Sequence, residues 1–205
     1  MEMFHARLMK PARWEVPQPL PSSLETPRMN IRWWVPEDAA AMLAAINADR
    51  TAMKPWIDWI DTDNRTLAEC HYNIERFRRT REKGDVLEFP FGLFDRTTGD
   101  PIGGTGFHRV DAETHQAEIG YWIRADRQRT GLATEATAAM LTWGFRVWGF
   151  RRIEIRCAAE NTASRRVPEK LGLRREMFLK EHRWTEGLGY TDTLGFAVLA
   201  SEWDR

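Results

Sequence analysis

The hydrophobic pattern changes period repeatedly along the chain, and each change marks a predicted element. Short runs rich in β-branched and aromatic residues predict seven strands, which span Met29–Val35, Val86–Asp95, Pro101–Val110, Glu118–Ile123, Arg151–Ala159, Leu173–His182 and Thr191–Leu199. Apolar positions three and four residues apart predict helices that begin at Pro36, span about residues 65–83, begin at Gly131 and span Thr162–Leu171. This order predicts an α/β fold, in which a mixed, mostly antiparallel sheet of six to seven strands is flanked by about four helices.

Two kinds of connection predict how these strands pair. Three strands within residues 86–123 are joined by short polar links, which predicts an antiparallel meander. The second of them carries Gly103-Gly104, which indicates a bulge or a close backbone approach. The strand from Glu118, the helix from Gly131 and the strand from Arg151 form a strand–helix–strand unit, which predicts a parallel pair with a right-handed crossover.

The helix over residues 65–83 is predicted to have a buried stripe and a solvated side. The apolar stripe consists of Leu67, Cys70, Ile74 and Phe77. The arginines expected to face solvent are Arg76, Arg78, Arg79 and Arg81. The segment Lys83-Gly84-Asp85 is expected to end this helix.

The joint between the strand Glu118–Ile123 and the next helix has the features of an anion site. A polar loop over residues 125–130 ends at Gly131, and the helix that follows carries its apolar face on Leu132, Ala136, Met140, Trp143 and Val147. The first N–H groups of a helix lack partners and carry a partial positive charge, and a glycine lets a phosphate approach them. We therefore expect a phosphate-bearing cofactor here; an ordinary strand-to-helix turn is the alternative.

The composition narrows the classes of function. The 205 residues include 30 basic and 30 acidic side chains, and this zero net charge argues against broad nucleic-acid binding. Residues 1–27 contain five prolines and are predicted to form an irregular N-terminal extension, while residues 28–205 are predicted to form a single domain. No run of about 20 apolar residues and no signal-peptide pattern is present, so we expect no membrane partner and a cytoplasmic location.

The two cysteines, Cys70 and Cys157, lie far apart in the chain and belong to no CxxC pair. We expect both to be buried, reduced and structural, in a reducing compartment. Their spacing gives no support for a metal site.

Five motifs resemble the GNAT N-acetyltransferase superfamily, and within it the Rim-type branch, which acetylates protein N-termini and related amines. The motifs are Pro55–Trp59, Ala117–Ile123, Gln128–Ala133, Asn161–Ser164 with Glu169–Gly172, and Gly189–Asp192. Each motif alone is a weak signal, but their order and spacing together are specific. The resemblance covers about residues 29–203 and implies a GNAT-like sheet with a splayed parallel strand pair that holds the cofactor.

The resemblance implies acetyl-coenzyme A (acetyl-CoA) as the cofactor. Its pyrophosphate is expected on the loop at the helix start, and its pantetheine arm between the two splayed strands, held also by the Asn161 amide. The expected cofactor-binding residues are Trp122, Ile123, Arg124, Gln128, Arg129, Thr130, Gly131, Leu132, Ala133, Thr134 and Asn161. Arg129 stands where glycine is common in the family, and a cation beside a pyrophosphate is favourable.

The expected reaction is direct attack of a primary amine on the thioester of acetyl-CoA. The amine must lose a proton, the thioester oxygen must be stabilised, and the leaving thiolate should gain a proton. The resemblance assigns Glu118 as the base, Ser164 as the acid and the backbone of Ala117–Ile123 as the oxyanion donor. The alternatives are a structural carboxylate for Glu118 and an ordinary helix-start hydroxyl for Ser164.

The strand after Gly172 departs from the pattern of the branch. Some Rim-type enzymes carry a second glutamate there, whereas this chain has Arg183 near that position. A register shift of one or two residues brings Glu181 or His182 inward instead. Glu118, Glu181 and His182 therefore all stay open as candidates for the base.

The sequence specifies the acceptor only as a primary amine, either a protein N-terminus or a small molecule. Trp56 and Trp59 are predicted to line its site, and packing in the core is the alternative for both. Asp58, Asp61 and Asp63 either form an acidic mouth for a cationic amine, or Asp61 or Asp63 caps the helix that follows, and we favour the cap.

Two other classes of function were weighed against the enzyme. A non-catalytic acyl-CoA sensor or interaction module on the same fold is the alternative to catalysis. A nucleotide-binding module would need a complete Gly-x-x-x-x-Gly-Lys-Ser/Thr run, which the sequence lacks. The sequence leaves the oligomeric state open, and a homodimer is one candidate.

Overall fold

The computed structural model describes residues 12–83 and 88–204, and these build an α/β structure around one sheet of eight strands. The strands are β1 (Ser23–Glu25), β2 (Met29–Trp33), β3 (Phe89–Asp95), β4 (Pro101–Asp111), β5 (Gln116–Ile123), β6 (Arg152–Ala158), β7 (Arg174–Thr185) and β8 (Gly189–Leu199). Their spatial order is β1-β2-β3-β4-β5-β6-β8-β7, and every neighbouring pair is antiparallel except β5 and β6. The predicted mixed, mostly antiparallel sheet is confirmed, with β1 as an additional strand.

Five α-helices lie within the described residues. They are α1 (Ala39–Asn47), α2 (Arg50–Met53), α3 (Leu67–Lys83), α4 (Leu132–Arg146) and α5 (Thr162–Leu171). α1 packs against α3, and α4 packs against α5. The short helix α2 is an addition to the predicted set, since the sequence around it indicated only a link.

The sheet divides between β5 and β6. These parallel strands pair only at their beginnings, where Gln116, Ala117 and Glu118 lie opposite Arg152, Ile153 and Glu154. Beyond Glu118, β5 stays paired with β4 and β6 stays paired with β8, but the two strands no longer pair with each other. The sheet is therefore open in a V with its vertex at Glu118, which confirms the expected splayed pair.

An aromatic cluster forms the centre of the main core. Trp148 is 1% exposed, and its ring centroid lies 4.7 Å from that of Phe89, 5.3 Å from that of Phe107 and 5.7 Å from that of Trp143. Burying a large apolar side chain contributes about 1.5–3 kcal/mol, so this cluster is a major source of stability. It holds β3, β4 and α4 together beneath the split.

Part of the proline-rich segment belongs to the core and to the sheet, which its sequence did not indicate. Trp14 is buried in the main core, where it stacks on Phe150 with ring centroids 5.1 Å apart. The Trp14 indole N–H donates to the Trp148 carbonyl oxygen at 2.6 Å. β1, also within this segment, pairs with β2. The boundary expected at residue 28 therefore does not separate an irregular extension from the sheet and core.

Three predicted side-chain environments were wrong. Leu67 stands at the start of α3 and is 45% exposed, so it does not belong to the buried stripe. Arg81 is not fully solvated, because its guanidinium lies 4.1 Å from the centre of the Trp33 ring. Val147 follows the last residue of α4 and is 47% exposed, so it does not extend the apolar face of that helix.

Two predictions fall at the gap in the description. The expected stop at Lys83-Gly84-Asp85 lies largely outside the described residues, as does the first part of the strand predicted from Val86. From residue 88 onward the chain enters β3, which pairs with β2 and β4. At the other end of the chain, β7 and β8 are longer than predicted and meet in a turn at residues 186–188.

Candidate active site

A cleft of about 1390 Å³ follows the split between β5 and β6. Most residues singled out in the sequence line it, namely Trp56, Trp59, Glu118, Trp122, Ile123, Gln128, Arg129, Gly131, Leu132, Ala133, Thr134, Asn161 and Ser164. Arg124 and Thr130 do not line it. The fold therefore gathers residues that are more than 100 positions apart in sequence into one cavity.

The cleft has different residues on the two faces of the sheet because side chains alternate along β5. Glu118 and Trp122 share one face, and Trp122 packs against the same buried cluster as Ile57 and Trp59. Tyr121 lies on the opposite face, where it joins the core that includes α4 and α5. A group on the first face and a group on the second can therefore meet only through the open part of the V.

The start of α4 has the geometry of an anion site. Gly131 is the N-cap with φ 86°, and no side-chain hydrogen bond caps the helix. The backbone at Arg129 is also left-handed, with φ 60°. The first amides of α4 are thus left for a ligand, and glycine at position 131 adopts its conformation without the penalty a side chain would carry. The left-handed backbone at Arg129 gives a physical reason for the family's preference for glycine there.

A set of polar contacts holds this loop from behind. Arg28 donates from Nη1 to the Thr130 carbonyl oxygen at 2.9 Å, and its Nε lies 2.6 Å from Glu135 Oε2. Thr130 Oγ1 donates to the Arg127 carbonyl oxygen at 2.7 Å. Thr26 also donates to Glu135, at 2.7 Å. The Thr130 side chain is therefore engaged within the loop, which differs from its expected contact with the cofactor.

The end of β5 offers fewer free backbone groups than expected. The Arg124 N–H donates to the Ile102 carbonyl oxygen at 2.9 Å, so it pairs with the neighbouring strand. The Ile123 carbonyl oxygen accepts from the Gln128 side chain at 2.9 Å. The Arg124 guanidinium pairs with Asp126 and points to the Pro101 carbonyl oxygen. The N–H and guanidinium groups of Arg124, which were expected to face the cofactor, therefore have partners within the protein, and Gln128 braces the loop with its amide.

Glu118 occupies the vertex of the V and is strongly shielded from water. Its side chain is 19% exposed, and its Oε2 lies 3.3 Å from Arg156 Nε and 3.8 Å from Arg109 Nε. Neither contact has hydrogen-bond geometry, and Oε2 has no hydrogen-bond partner among the described residues. Burial raises the pKa of Glu118, with Arg109 and Arg156 opposing this shift and Glu154 adding to it. A carboxylate of this kind has a higher proton affinity than an exposed one.

Asn161 and Ser164 lie at the start of α5, on the far side of the V from Glu118. Asn161 Oδ1 accepts from the Ser164 N–H at 3.0 Å and thereby caps the helix. This contact uses only the Oδ1 atom of Asn161, so the NH₂ group of its side chain takes no part in it. The Tyr121 hydroxyl donates to the Ser164 carbonyl oxygen at 3.0 Å and lies 3.2 Å from Ser164 Oγ. The serine hydroxyl is therefore held next to a tyrosine inside the cleft.

Both cysteines are free and buried, as expected. Cys157 also lines the cleft, on β6 beside Ser164. Burial raises the pKa of Cys157 to about 11, so the thiol stays protonated at neutral pH.

The acceptor side of the cleft is bounded by α2, the turn that follows it, and the tip of the β7–β8 hairpin. Asp58 forms an ion pair with Arg183, which lines the cleft. Lys54 bridges Asp61 at 3.2 Å and Glu186 at 3.0 Å. Ion pairs therefore join the tryptophan segment to the hairpin.

The start of α3 corrects the preferred interpretation of the aspartates. The Glu69 N–H donates to Thr66 Oγ1 at 3.2 Å, and the Arg65 N–H donates to Glu69 Oε2 at 2.8 Å. Thr66 and Glu69 thus cap this helix, and the expectation that Asp61 or Asp63 does so was wrong.

The irregular middle of β7 decides between two of the base candidates. The pairing of β7 with β8 shifts register between Leu179 and Arg183, and Glu181 there has φ 48°. Glu181 is exposed and does not line the cleft, whereas His182 lines it and contacts Thr193 Oγ1 at 3.0 Å. Of the two alternatives to Glu118, only His182 lies in the cavity.

Sequence reasoning missed three residues of this site. Tyr121 contacts Ser164, His108 lines the cleft opposite Glu118, and Arg28 holds the loop before α4. The only signal for any of them was the glycine-rich stretch of β4, which indicated close backbone approach near His108. The other two contacts depend on tertiary proximity that no local pattern records.

Within residues 12–83 and 88–204, no cluster of three or more His, Cys, Asp or Glu side chains is arranged to hold a metal ion. None of the described helices combines the length and the apolar character that a membrane crossing requires.

The fold and the cleft define the class of acetyltransferases with a split sheet, in which an open helix start and a buried carboxylate flank the split. The family model described as Acetyltransferase (GNAT) domain matches residues 28–174. The chain belongs to the GNAT acetyltransferase family and is thus an N-acetyltransferase, which confirms the resemblance seen in its motifs.

Some relatives match most of the chain, and others match a part of it. It is 27% identical over 176 residues to the Uncharacterized N-acetyltransferase YoaA of Bacillus subtilis, covering 86% of this chain and 96% of that protein. Ribosomal-protein-serine acetyltransferase of Escherichia coli is 31% identical over 80 residues, covering 39% of this chain and 45% of that protein. The solved structure of Mycobacterium smegmatis RimJ in complex with CoA-disulfide is 28% identical with a TM-score of 0.75, covering 86% of this chain and 84% of that one.

Proposed function

We propose that this protein transfers the acetyl group of acetyl-CoA to the N-terminal amine of a protein, with ribosomal proteins as the acceptor class. The observation that carries the proposal is the V between β5 and β6, which is flanked by an uncapped helix start and by a buried carboxylate. The names of two relatives, a ribosomal-protein-serine acetyltransferase and a RimJ bound to a CoA disulfide, support the acceptor class and the cofactor.

The loop before α4 fits the pyrophosphate of acetyl-CoA. The amides of residues 131–134 would hold its oxygens, because the helix start has no side-chain cap and carries partial positive charge. Arg129 would add a cation beside them. Arg28 and Gln128 act from behind, by fixing the loop to Glu135 and to the end of β5.

The pantetheine arm fits the open part of the V. Trp122 and Ile123 form one wall, and the amide of Asn161 is placed to bind the arm from α5. The unpaired edge of β5 beyond Glu118 offers backbone N–H groups as oxyanion donors, because β6 no longer pairs with it there.

Acetyl-CoA supplies an activated acetyl thioester when it is bound. Glu118 receives the proton that the attacking amine loses, and its raised pKa suits this task because a carboxylate of ordinary pKa is a weak base. Ser164 gives a proton to the leaving sulfur from the other side of the V. Glu118 thus acts at the attacking amine and Ser164 at the leaving sulfur, from different sides of the V.

The acceptor chain would enter between the tryptophan segment and the β7–β8 hairpin. Trp56 and Trp59 provide flat apolar contact surfaces beside the acceptor's first residues. Asp58 is 84% exposed in its side chain, and its pairing with Arg183 leaves an ion pair at the mouth that a charged acceptor can rearrange.

The acceptor class is tested by incubating the protein with acetyl-CoA and a mixed panel of amines, followed by mass spectrometry. The panel contains peptides with free N-termini, the same peptides with blocked N-termini and internal lysines, and small polyamines. Acetylation confined to free peptide N-termini is expected. Acetylation of the small amines alone contradicts a protein acceptor, and CoA binding without acetylation of any amine supports a sensor instead. The Glu118→Gln/Ser164→Ala double variant is the control, and it should bind CoA without turnover.

A further inference from the structure

Two glycines on neighbouring strands form a seat for the His108 imidazole. Gly106 of β4 lies opposite Gly120 of β5 in the sheet register. A Cβ atom at Gly106 would lie 3.0 Å from His108 Nε2, and one at Gly120 would lie 3.3 Å from it. A side chain at Gly120 would push the ring aside by a few tenths of an ångström, and one at Gly106 would also meet the Phe89 carbonyl oxygen at 2.7 Å. Glycine at both positions thus leaves room for the imidazole. This packing gives one structural reason for the glycines in β4.

His108 and Glu118 are cross-strand partners. They lie directly opposite each other on β4 and β5, and both line the cleft. Directly opposite residues on one face of an antiparallel pair have Cβ atoms about 4.5–5.5 Å apart. The seat on Gly120 places the ring further along β5 than Glu118, in the part of the V where β6 no longer pairs. The buried Glu118 Oε2 lacks a hydrogen-bond partner in the described part of the chain.

Burial favours the neutral form of the His108 imidazole. Burial lowers the pKa of His108, and Arg109 beside it has the same effect, while Glu88 ahead of β3 opposes them. From α3, Arg76 and Arg81 line the same cleft. Burial also raises the pKa of Glu118, so the proton affinities of the two groups approach each other. This convergence favours transfer of a proton from Glu118 to the imidazole.

We propose that His108 is the second residue of a proton relay. Its imidazole receives from Glu118 the proton that the acceptor amine has lost, and then releases this proton to solvent. The proposal rests on the proposed amine acetylation. As the carbon–nitrogen bond forms and the carbon–sulfur bond of the thioester breaks, the amine N–H bond also breaks and its proton joins the Glu118 carboxylate, while the leaving sulfur takes its proton from Ser164. The Glu118 O–H bond then breaks as the proton moves to the imidazole, directly or through water, and the carboxylate is restored. Acyl transfer and proton transfer change no oxidation state, so no oxidant or reductant is needed.

The first test compares His108→Phe, which keeps a ring, with His71→Phe on the exposed side of α3 as the matched control. The probe is a peptide with a free N-terminal serine at about pH 7. The kcat of His108→Phe should fall on the order of 10–100-fold, with an unchanged KM for acetyl-CoA, while His71→Phe keeps the wild-type values. With the same peptide carrying an aminooxyacetyl group on that nitrogen, whose terminal amine is already unprotonated at about pH 7, the loss should shrink to within about threefold. Equal losses with both acceptors indicate structural damage and overturn the relay, as does an unchanged rate with the peptide.

The second test is a double-mutant cycle with a spectroscopic readout. Adding His108→Phe to Glu118→Gln should slow the reaction by no more than about twofold, because without the Glu118 carboxylate no proton is passed to His108. Losses that multiply overturn the relay. In NMR titrations of the whole protein, the His108 pKa should change in Glu118→Gln, and an unchanged pKa also overturns it. A wild type that acetylates no amine contradicts the proposed function, whereas an active wild type with a fully active His108→Phe contradicts the relay alone.

Discussion

The Tyr121 hydroxyl lies 3.0 Å from the carbonyl oxygen of Ser164, to which it donates a hydrogen bond. In an α-helix this carbonyl would accept from the N–H of residue 168, but that residue is Pro168, which has none. Tyr121 thus supplies the donor that the proline lacks, and the contact joins β5 to α5 across the split. Burial raises the pKa of Tyr121, so the hydroxyl keeps its proton at neutral pH.

This relationship predicts that the effect of Tyr121→Phe depends on Pro168. In the wild-type background the change should lower the free energy of unfolding by about 1–3 kcal/mol, because the Ser164 carbonyl loses its donor. In Pro168→Ala the restored N–H satisfies the carbonyl, so the same change should cost about 1 kcal/mol less. Urea unfolding of the four proteins measures the difference. Equal costs in both backgrounds would show that Tyr121 does not compensate for the proline.

Gly131→Ala should damage both stability and cofactor binding. An alanine at φ 86° is strained by about 1–2 kcal/mol, and relief of this strain would move the amides that hold the phosphate. Gly149 is the matched control, because it has φ 72°, an empty surrounding and no part in the cleft. Both variants should lose similar stability, but only Gly131→Ala should weaken CoA binding, by about tenfold or more in calorimetric titration. Equal CoA affinities in the two variants contradict the anion site.

Arg129 is predicted to trade stability for cofactor affinity. Arg129→Gly should raise the free energy of unfolding by about 1 kcal/mol, because it removes a side chain from a left-handed position. It should also weaken CoA binding about 3–10-fold, more so at low salt, because a cation is lost beside the phosphates. Arg129→Gln separates the two effects, since it should lose the affinity without gaining the stability. A glutamine variant with full affinity means that the cation does not contact the phosphates.

Glu118→Gln should increase stability while it abolishes most activity. Because the folded-state pKa of Glu118 is raised, stability from its protonated form is present below the ordinary glutamate pKa and is lost as the pH rises through the raised value. The variant should therefore unfold at a higher temperature than wild type at about pH 8, with a smaller difference at about pH 4. Its kcat should fall on the order of 10²–10⁴-fold. A variant that is less stable than wild type at the higher pH indicates that the ion pairs with Arg109 and Arg156 outweigh burial.

The regular elements were predictable because their periods are strong. The apolar spacing along α4 and the alternation along β6 identified both elements within a residue or two. β1 was not predictable, since three residues among prolines carry too little pattern, and its pairing with β2 decides its state. Leu67 and Val147 were misplaced because helix ends expose positions that a continued period would bury.

The site was predictable only as far as motifs reach. Glu118, Ser164 and the loop around Gly131 stand at motif positions, and the structure brings all three into one cleft. Arg28 binds Glu135 across 107 positions, a contact for which nothing in the local sequence gives a signal. Arg124 shows that a motif position does not reveal tertiary contacts, since nothing in the motif indicated that its N–H donates to the Ile102 carbonyl oxygen.

The central claim is that acetyl groups pass from acetyl-CoA to a peptide amine through the V between β5 and β6. Its most direct test is to supply acetyl-CoA with an isotopic label in the acetyl group, together with a peptide that has a free N-terminal serine, and to follow the label by mass spectrometry. The account predicts that wild type places one labelled acetyl group on the N-terminal nitrogen, and that the Glu118→Gln/Ser164→Ala double variant binds CoA but leaves the peptide unlabelled. Undiminished labelling by the double variant, or label that appears only as free acetate with wild type, contradicts it.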